Sequence, residues 1–261
     1  MASDPYQQEE KSRVPHPNQR LMDRRIKLDF SETFEVLVGR GERSRNFVLH
    51  ELMFVSRSPF FEAATSARWR SASTGPVTLP DDGPDVFAAY SQVAYSGRLA
   101  YIHEEPETWD EAKTDEAFAH VIKAYILADK LGDLMTANMI IEELIALIEV
   151  TKLLPSPRVE KLVYDRTPES SQLRRLLVSY LVHEVDLETY LTIDRLASMP
   201  PELVRDVMLG FSELGKMQAV AMVDSVFHQL VRERPRCYFH QHDERNPPCL
   251  PPGELDWAFD L

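Results

Sequence analysis

Cysteine is nearly absent: the chain holds only Cys237 and Cys249, both in its last tenth, which excludes the disulfide framework of a small secreted domain. Long apolar runs are missing too. The longest stretch, Met139 to Val150, contains Glu142 and Glu143, whereas a spanning helix needs roughly 20 apolar residues. The first thirty residues lack the apolar centre of a secretory signal and carry Pro5, Pro15 and Pro17, so residues 1–29 read as a disordered tail of an intracellular protein. Positive charge is scarce as well. With 29 Lys and Arg against 42 Asp and Glu, the net charge of −13 repels phosphate backbones and excludes nucleic-acid binding by the surface as a whole. A local exception, Arg20, Arg24, Arg25 and Lys27, reads either as a nuclear import signal or as a solvated linker.

Catalytic motifs are also lacking. There is no Walker loop, no G-x-G-x-x-G, no G-x-S-x-G, and no H-E-x-x-H, since His50-Glu51 and His183-Glu184 have no second histidine. The acidic pairs Asp81-Asp82 and Glu104-Glu105 lie among turn residues and read as solvated surface. The chain is therefore read as a non-enzyme.

What is present is the composition of a folded chain, with 44% hydrophobic and 27% charged residues. Thr33 to Val38 and Asn46 to Leu49 flank Gly39-Arg40-Gly41 as a β-hairpin. Two short helices follow, Leu52 to Val55 and Phe60 to Ala64, with Ser58 as cap and Pro59 in the first helical position. Val77 to Leu79 is a short strand between turns. A helix from Pro84 with the face Val86, Phe87, Tyr90, Val93 and Ala94 stops at Gly97, and Leu99 to Ile102 is a further strand. Glu104 to Glu116, with Pro106 and Trp109, reads as an acidic surface loop. Phe118 to Ile126 and Leu134 to Ile148 are amphipathic helices. Leu154-Pro155-Ser156-Pro157 marks a boundary, after which Leu173 to Tyr180, Leu203 to Phe211 and Leu214 to Leu230 carry helical periods.

This order and its local sequences resemble the BTB/POZ domain, in particular the BTB proteins of filamentous fungi. Phe47-Val48-Leu49-His50 with Ser56-Arg57-Ser58-Pro59-Phe60-Phe61 is similar to the family's F-x-V-H-K and R-S-x-F-F signature. Val77-Thr78-Leu79-Pro80-Asp81-Asp82 is similar to V-x-L-P-E-D, Tyr95-Ser96-Gly97 to Y-x-G, and Tyr125 to Leu131 to Y-x-L-A-D-K-L. Glu51 stands where the family has lysine, and Gln92-Val93-Ala94-Tyr95 lacks the tryptophan and leucine of the W-L-Y form. His50 itself reads as a structural histidine bonded to nearby backbone.

The resemblance implies an α+β fold in which a short mixed sheet flanked by helices, residues 30–150, is followed by an all-α region, 151–233, and a proline-rich tail, 234–261. It also implies a non-catalytic homodimer, with partner-binding residues Met53, Phe54, Phe60, Phe87, Tyr90 and Tyr95. A role as substrate adaptor for a cullin-3 ubiquitin ligase follows from it, and a homotypic or transcription-associated scaffold is the alternative. The implied cullin-facing surface lies around Phe87 to Tyr95, Leu99 to Glu105 and Leu131 to Asn138.

One further constellation stands apart. Cys237-x2-His240-x-His242-x6-Cys249 gathers two thiols and two imidazoles, the ligand types of a closed tetrahedral zinc site. The fungal group often carries such a tail. Its proline-rich surroundings and its few residues to orient the imidazoles favour the other reading, an unstructured tail. The last residues, Leu255 to Leu261, alternate apolar and acidic groups and read as self-packing or as a short docking motif.

Overall fold

The structure, a computed structural model, describes residues 30–66, 75–99, 109–151, 153–183, 190, 192–218, 239–246 and 249. The basic cluster at Arg20 to Lys27, the strand expected beyond Leu99, Cys237 and Leu255 to Leu261 lie outside these residues.

Three strands form one mixed sheet in the order β2-β1-β3, with β1 Thr33–Val38, β2 Arg45–His50 and β3 Val77–Leu79. The hairpin pairs Val36 with Phe47 and Phe34 with Leu49, antiparallel, and β3 joins the other side of β1 in parallel. Alternation along β1 sends Val36 and Val38 inward, where they are fully buried together with Leu49 and Leu79.

Nine α-helices are present among the described residues. The first five are α1 Glu51–Val55, α2 Pro59–Thr65, α3 Pro84–Ser96, α4 Glu111–Lys130 and α5 Leu134–Thr151. They are followed by α6 Pro157–Arg166, α7 Gln172–His183, α8 Ile193–Ser198 and α9 Pro201–Gln218. α4 packs on α3, α5 and α6, and α9 packs on α7. One apolar core runs from the sheet through Phe54, Phe61, Phe87 and Ile122 to Leu173, Leu176 and Leu203. It continues across the turn at Leu154 to Pro157 that connects α5 to α6.

Two elements differ from the sequence reading. The acidic stretch does not stay a loop to Glu116, because α4 begins at Glu111. Asp110 caps it by accepting from the Lys113 amide at 2.8 Å, and Thr114 and Ala117 are buried in its first turns. Trp109, just before the cap, packs partly buried against the core. At the other end, α9 runs without a break from Pro201 to Gln218, so Leu214 and Met217 belong to the helix that carries Leu203, and the rest of that expected helix lies outside the described residues.

The α4–α5 connection is densely hydrogen-bonded. α4 ends in a Schellman turn, with Asp133 N donating to Ala128 O at 2.9 Å, Gly132 N donating to Asp129 O at 3.0 Å, and Gly132 at φ 69°. Ser58, the cap of α2, accepts from Phe61 N and donates its hydroxyl to Leu131 O at 2.6 Å. Asp133 then caps α5 by accepting from the Thr136 amide at 3.0 Å and hydroxyl at 2.6 Å, and it also accepts from the Tyr90 hydroxyl at 2.9 Å. A side chain at Gly132 would combine a left-handed backbone with a Cβ 3.0 Å from Pro59 Cδ. Gly132→Ala is expected to lose about 2 kcal/mol in urea unfolding, and a loss within about 0.5 kcal/mol would show that the junction yields at little cost.

Candidate metal centre

The signature residues serve the interior first. Tyr95 Oη accepts from the His50 amide at 3.0 Å and lies 2.9 Å from His50 Nδ1. The histidine is structural, but its ring partner is a tyrosine hydroxyl and not backbone. Arg57 donates to Ala94 O at 2.7 Å, and Lys130 pairs with Asp82 at 2.7 Å. Of the six residues assigned to partner binding, Phe54, Phe87 and Tyr90 are fully buried inside the single chain, where their rings pack together. They have no surface to offer a partner. Met53 and Phe60 are half-buried and Tyr95 is 42% exposed. Phe60 opens onto a groove of about 980 Å³ between β1, β3 and α2, shared with Phe34, Ala64 and Val77. Val48, 60% exposed on the same groove, is a surface residue that the sequence reading placed only within a motif.

The expected Cys/His segment is anchored to the folded body. Phe239 is 4% exposed in the core. The next residues dock on α5: Gln241 donates its amide to Asn138 Oδ1 at 2.9 Å, and its carbonyl accepts from Asn138 Nδ2 at 2.8 Å. Asp243 then closes a turn by accepting from the amides of Arg245 and Asn246, and Arg245 pairs with Glu62 of α2 at 2.5 Å. Residues 239–246 are therefore packed on and hydrogen-bonded to the folded body.

This anchoring brings three ligand atoms together. His240 Nδ1 lies 3.2 Å from Cys249 Sγ, and His242 Nε2 lies 4.0 Å from the same sulfur. All three atoms fall within 4.8 Å of one another, which brackets the ligand-to-ligand separation of about 3.5 Å around a tetrahedral ion. One of the two outer nitrogens is hydrogen-bonded: His242 Nδ1 donates to the carbonyl of Asn246 at 3.2 Å, which leaves its Nε2 free to bind a metal. His240 Nε2 lies 2.8 Å from Glu142 Oε1 but without the alignment of a hydrogen bond, and its Nδ1 is the nitrogen that faces the sulfur. The two imidazoles thus offer opposite nitrogens, Nδ1 from His240 and Nε2 from His242, and the cluster can hold a metal ion. Sequence reasoning found these candidate ligands but missed Glu142 and Asn138, which lie about a hundred residues upstream.

A second charged cluster ties α8 to α6. The Glu160 carboxylate, buried in α6, lies 2.5 Å from Arg195 Nη2 and 3.2 Å from the Tyr190 hydroxyl, and the Arg195 guanidinium stacks 4.7 Å from the Tyr190 ring centroid. Burial pushes the Glu160 carboxyl up although Arg195 opposes it, and burial together with Glu160 pushes the Tyr190 hydroxyl up to about 12. This cluster is a buried ion pair that holds two helices together.

Among the described residues no helix is long and apolar enough to cross a membrane. No family model matches the chain, and no curated protein matches it.

Proposed function

We propose that the chain is a non-catalytic BTB/POZ-type interaction protein that pairs with a second copy of itself and, through its other surfaces, brings a further protein to a cullin-3 ligase. The observation that carries this reading is the way its motifs meet. Ser58 of the S-R-S-P-F-F stretch donates to Leu131 of the A-D-K-L stretch, Arg57 donates to the helix that ends in Y-S-G, and Lys130 pairs with Asp82 of the L-P-D-D turn. Residues 37 to 73 positions apart are matched to one another, as a family signature that specifies a fold requires. The exposed Val48 and the half-buried Phe60 give the proposed dimer apolar contacts on the groove beside β1, which Glu32, Glu35 and Glu51 also line, and burying those apolar side chains favours association.

The metal we propose is zinc, held by His240 Nδ1, His242 Nε2, Cys249 Sγ and, from its place in the sequence, Cys237. Nitrogen and thiolate donors suit zinc, and four protein ligands leave no open position for water, so the role is structural. Light scattering and metal analysis on one size-exclusion peak test both parts. The expected result is a dimer of about 60 kDa, twice the 30.0 kDa chain, with about one zinc per chain that is lost in Cys249→Ser. A monomer at micromolar concentration would overturn the homotypic reading, and a metal-free wild-type chain would overturn zinc. A dimer that captures no purified cullin-3 would remove the ligase role and leave a homotypic scaffold.

A further inference from the structure

The orienting contacts of the cluster come from far away in the chain. In a self-contained metal finger the ligands are aimed by local turns and a local helix. Here, three consecutive residues are each met by the folded body: Phe239 enters the core, His240 faces Glu142, and the Gln241 backbone is bracketed by Asn138. Asn138 and Glu142 are four apart in α5 and so lie on one face of it, one above the other. The His240 side chain is 8% exposed where it meets Glu142, while Glu142 itself is 47% exposed, and the shielded Nε2 has no hydrogen-bond partner although the Glu142 carboxylate lies 2.8 Å away.

We propose that Glu142 is the positioning residue of this metal centre: its carboxylate, 2.8 Å from the otherwise unpartnered Nε2 of His240, takes up the proton of that nitrogen in a hydrogen bond as the ring turns to bind the ion through Nδ1, and makes metal binding conditional on docking of the strap 239–246 to α5. This rests on the zinc reading. Its physical content is linkage, because an ion bound to the docked strap favours the docked state, and docking in turn raises affinity for the ion. Asn138 sets the height of the strap on α5, and Glu142 sets the rotation of the first ligand. Neither residue touches the ion.

The test uses the full chain. Zinc affinity is measured by competition with a chromogenic chelator, and cobalt(II) replaces zinc to report geometry through its visible d–d bands and its thiolate charge-transfer band. Glu142→Ala is expected to bind zinc 10- to 100-fold more weakly than wild type, with the thiolate band regained at saturating cobalt. Glu142→Gln should fall between the two, since its amide oxygen can accept the Nε2 proton of the metal-bound ring but carries no charge. Glu149→Ala, a carboxylate lost further along α5, should match wild type, and circular dichroism checks that each variant is folded. If Glu142→Ala binds zinc as tightly as wild type, the positioning role is wrong while the zinc reading stands. If wild type itself takes up no zinc, the reading beneath the proposal has failed, and that arm identifies it without any variant.

Discussion

Asp133→Ala is expected to destabilise the protein by roughly 3–4 kcal/mol, a large part of what a domain of this kind has to lose. The carboxylate is fully buried and accepts three hydrogen bonds, from the Thr136 amide, the Thr136 hydroxyl and the Tyr90 hydroxyl. Loss of the cap on α5 alone costs about 1 kcal/mol. The remainder comes from the donors left behind, because a buried hydroxyl without an acceptor costs about 1–3 kcal/mol. Burial, followed by the Asp133 charge, already holds the Tyr90 hydroxyl far above its ordinary pKa, so that donor cannot escape the problem by ionising. Urea unfolding followed by circular dichroism measures the loss. Tyr90→Phe should cost only about 1 kcal/mol, and the double variant should fall short of the sum, since both remove the same bond. A loss below about 1 kcal/mol for Asp133→Ala would mean that water enters the junction and replaces the carboxylate.

Arg195→Met should be comparably damaging, at about 3–5 kcal/mol, because it strands the Glu160 carboxylate in a buried site. Removing both charges in a Glu160→Leu, Arg195→Met double variant should recover most of that loss. The pH dependence gives an independent check. Burial raises the folded-state pKa of Glu160 above its unfolded value, and loss of Arg195 removes the main opposing influence. A raised carboxyl contributes stability below its unfolded pKa and loses it as pH rises through the folded one. The single variant should therefore lie closest to wild type in acid and fall away as the pH climbs through the raised pKa of Glu160. A deficit independent of pH would assign the damage to lost packing over the Tyr190 ring instead.

Local punctuation made much of the fold legible. Ser58-Pro59 announces α2 by supplying a hydroxyl cap and a ring already set at helical φ, and Gly97 ends α3 at φ 73° because glycine alone adopts that angle without strain. The start of α4 was hidden because Asp110 stands in a run of acids that has the same composition as a loop. The short helix α1 shows only five residues, too few for a period to reveal that Phe54 faces inward and not toward a partner. The candidate ligands were legible because the Cys and His residues cluster within thirteen residues, as one segment. Their supports were not, since Glu142 and Asn138 belong to a helix whose apolar pattern gives no hint of what will dock on its polar side. The parallel pairing of β3 is likewise a matter of tertiary placement. Three residues between two turns carry no mark of the direction in which they will be used.

The shared hydroxyl of Ser58 also bears on motion. It joins the start of α2 to the end of α4 across 73 residues, beside Gly132, where a Cβ would press on Pro59, and two residues before the Asp133 that accepts the buried bond from Tyr90. The ends of α2, α4 and α5 and the Tyr90 side chain of α3 therefore meet at one knot of buried hydrogen bonds. Local opening that leaves this knot intact is then expected first at the attachments made from further along the chain, the strap on α5 and the ion pair that joins α8 to α6.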